Sequence, residues 1–284
     1  MLVTLKENLR KADEGKYAVG QFNCPTLESA RAAIEAAEEL NAPIILAHAE
    51  VHDELIPIEM IGPLLIHLAT QASVPVTVHL DHGTNLSMIK KAIDIGFSSV
   101  MIDASILSYE DNINVVKEVV DYAQKYDVSV EAELGVMTSS GIGGEDTGGK
   151  HDGELYTDPG IAKDFVEKTN IDALAAAFGT VHGIYVSQPN LDYERLRSIH
   201  ENIHRPVVMH GGSGLSKEEY IKTINNGVRK INYYSYAAKA GGEAVKKYVT
   251  QNEVVFYHDV TTVAKQALKE DYKNAISIFT MKDV

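Results

Sequence analysis

Short runs of apolar and β-branched residues alternate along the chain with longer stretches in which apolar residues recur every three or four positions. Runs of the first kind predict buried strands, and stretches of the second kind predict amphipathic helices. The expected strands are Tyr17 to Asn23, Pro43 to His48, Val74 to Asp81, Ser98 to Asp103, Ser129 to Leu134, Ala173 to Phe178, Val207 to Met209 and Arg229 to Asn232. Strands that alternate with helices build a parallel sheet, and this number of strands favours closure. We therefore expect an α/β protein, a (β/α)8 TIM barrel.

The helical stretches carry packing faces and start signals. In two of them, apolar residues at helical spacing are expected to pack on the barrel: Ala30, Ala33, Ile34 and Ala37, and later Ile113, Val116, Val120 and Ala123. Helix starts are predicted at Asn85, at Asp158-Pro159 and at the capping box from Ser216 to Glu219. Side chains of these types accept hydrogen bonds from the free N–H groups of a first helical turn.

The length of 284 residues is within the range of one (β/α)8 barrel. We expect a single domain over 1–284, with a C-terminal helical extension near 257–280. Near 137–155 the alternation stops, and glycines mix with acidic residues that have little to bury. Because this stretch directly follows a strand, on the barrel face where chemistry occurs, it is predicted to be a mobile active-site loop.

Composition and charge argue against several classes of function. The formal net charge of −14 argues against binding to nucleic acid or anionic lipid. No apolar run is long enough to span a membrane, and the first residues lack the pattern of a signal peptide, so cytoplasmic residence is expected. Cys24 is the only cysteine, which excludes an internal disulfide and a cluster of thiolate metal ligands.

Three histidines stand close to the ends of predicted strands, and a glycine follows each of them: His82, His182 and His210. The carboxyl ends of barrel strands open onto one rim, so these imidazoles are expected to meet there. Three protein ligands and an open position are typical of catalytic zinc. The alternative is that each histidine is a hydrogen-bonded structural residue, but their shared position favours a mononuclear zinc site.

Several carboxylates accompany these histidines. Asp81 precedes His82 and is placed either to exchange a proton with a substrate oxygen or to anchor a ligand imidazole. Asp103 ends the next strand, and Glu131 and Glu133 alternate on one face of the strand after it. These three side chains either orient ligand histidines, hold a displaced metal, or pair with lysines of the barrel.

The loops after the last two strands are Gly211-Gly212-Ser213-Gly214 and Asn232-Tyr233-Tyr234-Ser235. In barrels, these positions commonly form a phosphate cradle from backbone N–H groups and a helix N-terminus. Within the predicted mobile loop, Glu145 stands on a flexible tether, which suits a proton carrier that arrives after the substrate. Simple loop flexibility and solvated charge are the alternatives for these two features.

The chain carries, in order, a series of motifs that resembles those of class II, zinc-dependent ketose-bisphosphate aldolases: Asp81-His82-Gly83, Glu131-Ala132-Glu133-Leu134-Gly135, Gly143-Gly144-Glu145-Asp146, Thr157-Asp158-Pro159, His182-Gly183 and His210-Gly211-Gly212-Ser213-Gly214. The resemblance covers nearly the whole chain and is to the branch that contains fructose- and tagatose-bisphosphate aldolases. It implies a TIM-barrel lyase of carbohydrate metabolism, such as glycolysis. The implied reaction is reversible cleavage of a ketose 1-phosphate or ketose 1,6-bisphosphate to dihydroxyacetone phosphate and an aldehyde, by a homodimer or homotetramer.

Carried over residue by residue, the resemblance implies that zinc is bound by His82, His182 and His210. It implies that Asp81 moves the proton of the C4 oxygen, and that Glu145 is the loop acid that moves the proton at C3. Asp103 and Glu133 resemble residues that meet the metal in an alternative position. The implied substrate-binding residues are Asn23, near the aldehyde half, and Gly183, Gly211, Gly212, Ser213, Asn232, Tyr233, Tyr234 and Ser235. A monovalent cation near the phosphate site is a further implication.

Two departures from the family bear on specificity. Tyr233 and Tyr234 follow Asn232 where the family often has an aspartate or asparagine that contacts the sugar. In addition, no arginine follows Arg229, whereas several relatives hold the second phosphate with a late arginine from a neighbouring subunit. The segment from His48 to His52 ends strand two on the same rim. It is a candidate for contacting an uncharged polar aldehyde, and a solvated loop is the alternative.

Two other functions remain open on the same barrel. One is a catalytically silent phosphosugar-binding protein, which would keep the cradle without the chemistry. The other is a zinc-dependent hydrolase, which would use a metal-bound water as nucleophile. Such a hydrolase normally carries a His-x-His pair after the first strand, where this chain has Gln21-Phe22-Asn23.

Overall fold

The computed structural model describes residues 1–135, 156–185 and 189–282. Eight strands lie at its centre: β1 (Val19–Asn23), β2 (Ile44–Ala49), β3 (Val76–Gly83), β4 (Ser99–Ile102), β5 (Ser129–Leu134), β6 (Ala173–Ala176), β7 (Val207–Met209) and β8 (Val228–Asn232). Each strand pairs in parallel with the next one in the chain, and β8 pairs with β1, so the sheet closes into a barrel. The predicted (β/α)8 TIM barrel is confirmed.

The helices of the described residues lie before, between and after the strands: α1 (Leu5–Gly15), α2 (Leu27–Glu39), α3 (Ile58–Gln71), α4 (Leu86–Ile95), α5 (Tyr109–Ala123), α6 (Pro159–Thr169), α7 (Tyr193–Ile203), α8 (Lys217–Asn225), α9 (Ser235–Gln251) and α10 (Tyr257–Phe279). Short 3-10 turns stand at Glu50–Glu54 and Gln124–Tyr126. None of the helices in these described ranges has the length and apolar character needed to cross a bilayer.

The predicted helix starts are confirmed by their hydrogen bonds. The side chain of Asn85 accepts from the backbone N–H of Met88 at the start of α4. Asp158 accepts from two backbone N–H groups at the start of α6, and Ser216 forms a reciprocal capping box with Glu219 at the start of α8. These polar side chains replace water at the free N–H groups of each first turn, which fixes where the helix begins.

Side chains alternate along a regular strand between the helices and the barrel interior. The outward-facing set packs with the inner faces of the helices in one large apolar core, which includes Phe22, Leu46 and Val78. The two helix faces predicted from sequence, in α2 and α5, are buried in this core. Burial of apolar surface in this layer is the main source of stability.

The barrel interior has two layers. Near the amino ends of the strands, the interior is apolar, and the buried face of α1 closes it with Leu5, Leu9 and Ala12. Towards the carboxyl ends, the interior is polar, with Glu131 and Lys230 fully buried. Buried polar groups are costly unless they are paired, so this upper layer is where a functional site is expected.

At their carboxyl ends, two strands differ from the prediction by two residues. β3 runs to Gly83, two residues beyond the predicted end, and β6 ends at Ala176, two residues before it. The extension of β3 follows a register shift against β4 between Leu80 and Gly83. The loop predicted near 137–155, including Glu145, lies outside the described residues.

Candidate metal centre and active site

Three imidazoles meet at the carboxyl end of the barrel. They belong to His82 on β3, His182 after β6 and His210 after β7. All three are buried, and a ring nitrogen of each lies within 4.8 Å of a ring nitrogen of the other two. The ring centroids are 4.6 to 5.8 Å apart. Residues that are distant from one another in the chain are therefore brought to one point.

A backbone irregularity turns Asp81 and His82 towards the same site. Consecutive residues of a regular strand point to opposite faces. Here His82 has a φ of 47°, and the register of β3 against β4 shifts next to it. This left-handed conformation is uncommon for a residue with a side chain and tends to persist where the surrounding structure holds it. It lets a carboxylate and an imidazole that are adjacent in sequence both face the interior.

Carboxylates orient two of the imidazoles. The Nδ1 atom of His82 lies 3.0 Å from Oδ2 of Asp103, and Nε2 of His210 lies 2.9 Å from Oε1 of Glu131. An ionised carboxylate only accepts hydrogen bonds, so these two nitrogens carry the protons. The remaining nitrogens, Nε2 of His82 and Nδ1 of His210, face each other at 2.8 Å. Hydrogen bonding of the far nitrogen to a carboxylate is typical of histidines that bind a metal.

The donor set fits a divalent cation. Both ring nitrogens of His182 lack a hydrogen-bond partner among the described residues, although the side chain is buried. Burial and the positive charge of His82 and His210 hold the pKa of His182 well below its usual range. Burial opposes charge on His82 as well, but the negative charge of Asp81 and its contact with Asp103 raise its pKa to about 10. Three imidazole nitrogens with an open side are a common protein ligand set for catalytic zinc.

A second cluster of acceptors shares His82. One ligand atom from each of His82, Asp103 and Glu133 lies within 4.8 Å of the others. The Oδ1 atom of Asp103 accepts from the hydroxyl of Ser105 at 2.7 Å, which fixes this carboxylate at the end of β4. Oε2 of Glu133 has no hydrogen-bond partner among the described residues. Burial, followed by the negative charge of Asp103, raises the pKa of Glu133 well above its usual range.

Asp81 is a buried carboxylate held at both oxygens. Nδ2 of Asn23 donates to its Oδ2 atom at 2.9 Å, and Nδ2 of Asn232 donates to its Oδ1 atom at 3.1 Å. Burial by itself raises the pKa of a carboxyl group, but the positive charges of His82 and His210 outweigh it here. The pKa of Asp81 is therefore well below its usual range, and the group is an ionised base next to the imidazole cluster.

Beneath the cluster lies a charged network that the motifs do not reveal. Nζ of Lys230 lies 2.9 Å from Oε1 and 2.7 Å from Oε2 of Glu131. Nδ1 of His79 lies 2.8 Å from the hydroxyl of Ser99 in the same layer. The sequence leaves two roles open for Glu131, orienting a histidine or pairing with a lysine. In the structure, Glu131 does both. In the sequence, the signal that places Lys230 in the barrel interior is the alternation of inward- and outward-facing side chains along β8.

An open cavity adjoins His182 and the loops after β6, β7 and β8. The residues that line it are Asn23, His182, Gly183, Gly211, Ser213, Asn232, Tyr234 and Ser235. Gly211 has a φ of 62°, and a Cβ atom there would overlap the carbonyl oxygen of Val181. The hydroxyl of Ser213 accepts from the backbone N–H of Tyr234 at 2.8 Å, which joins the two loops. Because α9 begins at Ser235, its N-terminus adds the positive end of a helix dipole to the cavity.

Two residues predicted for the substrate site, Gly212 and Tyr233, do not line this cavity. Gly212 is absent from the cavity lining, and a Cβ atom there would stand 2.7 Å from Ile231, so glycine serves the close approach of β7 and β8. The ring of Tyr233 packs edge-on against Phe22 on the outside of the barrel, with centroids 6.3 Å apart. Glu145 belongs to the segment outside the described residues. Conversely, the hydroxyl of Tyr185, which the motifs do not single out, donates to the carbonyl of Gly211 at 2.7 Å.

A closed barrel with the carboxylate of Asp81 and three histidines at its carboxyl rim is the arrangement of a candidate metal-assisted enzyme. Comparison with known proteins identifies its class, because a family model described as "Fructose-bisphosphate aldolase class-II" matches residues 3–283. The chain belongs to the class II fructose-bisphosphate aldolase family, and it is a carbon–carbon lyase. The predicted family and enzyme class are confirmed.

Relatives with full-length matches agree with this assignment. The chain is 42% identical over 291 residues to a 6-phospho-5-dehydro-2-deoxy-D-gluconate aldolase of Halalkalibacterium halodurans, and the match covers 98% of this chain and 96% of the relative. It is 39% identical over 284 residues to a fructose-bisphosphate aldolase of Staphylococcus aureus, with 98% and 97% covered. The crystal structure of the YdjI aldolase from Escherichia coli K12 superposes with a TM-score of 0.87 at 32% identity, covering 98% and 97%. A lyase is therefore favoured over the hydrolase considered as an alternative.

Proposed function

We propose that this protein is a zinc-dependent aldolase that cleaves a ketose 1-phosphate or ketose 1,6-bisphosphate, of the fructose or tagatose type, to dihydroxyacetone phosphate and an aldehyde. The reverse condensation uses the same groups. The observation that carries the proposal is the convergence of three buried imidazoles, within 4.8 Å of one another, beside the ionised Asp81. An acid–base group next to a Lewis-acid site is what aldol cleavage requires in the absence of a Schiff-base lysine.

In this proposal His82, His182 and His210 hold the zinc ion, and Asp103 and Glu133 offer the alternative position beside His82. When bound, zinc supplies Lewis-acid stabilisation of the negative charge that develops on the oxygens of the ketose. Asp103 and Glu131 accept from one ring nitrogen of His82 and of His210, and so turn the opposite ring nitrogen of each towards the proposed cation site. The ligands are therefore oriented before any cation arrives.

Asp81 is the proposed general base for cleavage. It removes the proton of the C4 hydroxyl, the C4–O electrons form the carbonyl of the aldehyde, and the C3–C4 bond breaks towards C3. In condensation, Asp81 returns the same proton to the C4 oxygen. Asn23 and Asn232 hold both of its oxygens, so the carboxylate needs little reorganisation during the reaction. The proton at C3 is assigned, by resemblance, to Glu145.

The phosphate of dihydroxyacetone phosphate is proposed to bind at Gly183, Gly211, Ser213, Asn232 and Ser235. These residues line one cavity next to His182, and the N-terminus of α9 opens at its edge. Backbone N–H groups and a helix terminus bind an anion without added side-chain charge. This arrangement suits a chain with a net charge of −14, whose overall field repels anions.

The names of the relatives leave the far end of the substrate open. One relative is named for a substrate with a single phospho group, and another for a bisphosphate. We also infer a homodimer or homotetramer, a monovalent cation near the phosphate, and a cytoplasmic location, where phosphorylated sugars are retained. Light scattering tests the oligomer, and exchange of potassium for a bulky organic cation tests the monovalent site.

A substrate panel with and without zinc tests the proposal. Release of dihydroxyacetone phosphate should stop after chelation and return when zinc is added. His82→Ala should abolish turnover, and Asp81→Ala should reduce it by at least ~10³-fold, because it removes the base. His258→Ala, at an exposed histidine of α10, is the control and should keep wild-type rates. Full turnover in the chelated enzyme would contradict the metal-dependent mechanism.

A second assay separates the aldolase from a catalytically silent phosphosugar-binding barrel. An aldolase exchanges the C3 proton of dihydroxyacetone phosphate with solvent deuterium even when no aldehyde is present. We expect exchange in the zinc-loaded wild type and its loss in His82→Ala. Binding of dihydroxyacetone phosphate without any exchange would favour the silent barrel.

A further inference from the structure

The active site is built from two different groups of strands. The cavity residues Gly183, Gly211 and Ser213 follow β6 and β7, whereas Asn23 ends β1. In the register of β2 against β3, Ala49 is paired with Asp81. The 3-10 turn Glu50–Glu54 therefore begins level with the proposed base. With the phosphate on the β6 to β8 side, the aldehyde product, whose carbonyl carbon is C4 of the ketose, must face β1 and β2.

One aromatic side chain stands on that aldehyde side, and a second reaches it from the residue before α9. The imidazole of His52, in the 3-10 turn, packs against the ring of Tyr234, with centroids 5.0 Å apart and an interplanar angle of 54°. His52 is only 6% exposed, Tyr234 lines the cavity, and the negative charge of Asp81 acts on His52. We call His52 and Tyr234 the aromatic wall.

The aromatic wall is held in place by the segments that carry it. Oε2 of Glu50 accepts from the backbone N–H of Thr84 at 2.6 Å, which ties the 3-10 turn to the end of β3. Oδ1 of Asp53 accepts from the backbone N–H of Ile58 at 2.7 Å, at the start of α3. On the other side, the backbone N–H of Tyr234 donates to Ser213. A recognition surface with restrained side chains loses little entropy when a ligand binds.

The aromatic wall supplies no cationic side chain to a distal phosphate. The residues that line the cavity, as far as the structure describes them, include no lysine or arginine. Burial, followed by the positive charge of His48, lowers the pKa of His52 to about 4, so its imidazole is neutral at pH 7. Phosphate groups in proteins are usually held by cationic side chains or several N–H groups. A neutral imidazole and a phenol instead offer hydrogen bonds to hydroxyl groups and apolar faces to sugar C–H groups.

We propose that the aromatic wall is the specificity element for the aldehyde half, and that it selects a hydroxylated aldehyde without a distal phosphate. The physiological substrate is then a ketose 1-phosphate rather than a ketose 1,6-bisphosphate. This inference rests on the proposed function, since the roles of Asp81 and of the phosphate cradle fix which side of the cavity receives the aldehyde.

Condensation kinetics with a matched pair of acceptors test the inference. The zinc-loaded enzyme is given dihydroxyacetone phosphate with D-glyceraldehyde or with D-glyceraldehyde 3-phosphate. We expect kcat/KM for the unphosphorylated acceptor to be higher by about tenfold or more. His52→Asn and Tyr234→Ala should each raise the KM for glyceraldehyde by about tenfold, because contacts to the acceptor are lost. The controls His258→Asn and Tyr257→Ala change exposed residues of the same types and should leave the preference as in the wild type.

Deuterium exchange into dihydroxyacetone phosphate distinguishes two kinds of failure, because it needs no acceptor. The effect of either wall substitution on acceptor KM should exceed its effect on exchange by about tenfold. Exchange in the wild type together with a preference for the phosphorylated acceptor would overturn the inference and leave the aldolase intact. Equal losses in exchange and in acceptor KM would also overturn it, since the wall would then serve the whole site. Absence of exchange in the wild type would contradict the proposed function itself.

Discussion

The ammonium group of Lys230 lies 2.7 Å from the carboxylate of Glu131, and both side chains are fully buried beneath the histidine cluster. Glu131 also accepts from His210, so this pair joins β8, β5 and the residue after β7. Removing one partner of a buried ion pair leaves an uncompensated charge in a low-dielectric interior. The pair is therefore a test of how the polar layer of the barrel is stabilised.

We expect Lys230→Met to lower the free energy of unfolding by ~3 kcal/mol, as measured by urea denaturation. The control is Lys91→Met, which breaks a half-exposed pair with Glu59 and should cost less than ~1 kcal/mol. The double variant Lys230→Met with Glu131→Gln should recover part of the loss, because it also removes the buried negative charge. Equal stability of the two lysine variants would show that the buried pair contributes no more than a surface pair.

The contact between Asp103 and His82 predicts an effect on metal affinity. Asp103→Ala removes the acceptor that fixes the tautomer and ring orientation of His82. We expect zinc affinity to fall by about 10- to 100-fold, measured by competition with a chromophoric chelator. Glu59→Ala, on the surface of α3, should leave the affinity unchanged. An unaltered affinity in Asp103→Ala would mean that the imidazoles are oriented by packing alone.

Gly211 predicts a loss of both stability and phosphate binding. Its φ of 62° and the proximity of Val181 leave no room for a Cβ atom. Gly211→Ala should lower the free energy of unfolding by ~2 kcal/mol and raise the KM for dihydroxyacetone phosphate, since the cradle must move. In α9, a Cβ atom added at Gly242 would meet no other heavy atom within 4 Å, so Gly242→Ala should instead stabilise the protein by ~0.5–1 kcal/mol. Similar effects of the two substitutions would contradict the steric explanation.

Cys24 is predicted to be chemically inert in the folded protein. Cys24 directly follows β1 and is fully buried, and burial raises the pKa of its thiol to about 12. The thiolate is the reactive form, so labelling by iodoacetamide at about pH 8 should be negligible until the protein unfolds. In urea, one equivalent should react, in step with the unfolding transition measured by circular dichroism. Rapid labelling under native conditions would mean that this end of β1 opens locally.

The strands and helix starts are predictable because their signals are local. The apolar runs place all eight strands, and Asn85, Asp158 and Ser216 cap the helices where the sequence predicts them. Local propensity cannot reveal the bulge of β3, which depends on pairing with β4. That bulge is what brings Asp81 and His82 to the same side.

The three histidines of the site are predictable from the sequence, whereas the contacts around them are less so. Motifs identify His82, His182 and His210, but they do not specify which carboxylate faces which nitrogen. The pairing of Glu131 with Lys230 depends on the register around the closed barrel, across 99 positions of sequence. Tyr233 and Tyr234 are adjacent in sequence, yet one ring packs on Phe22 outside the barrel and the other enters the cavity. Only the geometry after β8 separates their roles.

The plug of α1 at the amino end of the barrel has an evolutionary consequence. Leu5, Leu9 and Ala12 close that end with apolar contacts that involve none of the residues proposed to meet the sugar. New acceptor preferences can therefore arise when short segments at the carboxyl rim, such as the turn that carries His52, are exchanged. The amino end of the barrel stays unchanged. The substrate preference of such a chain can change while its fold stays the same.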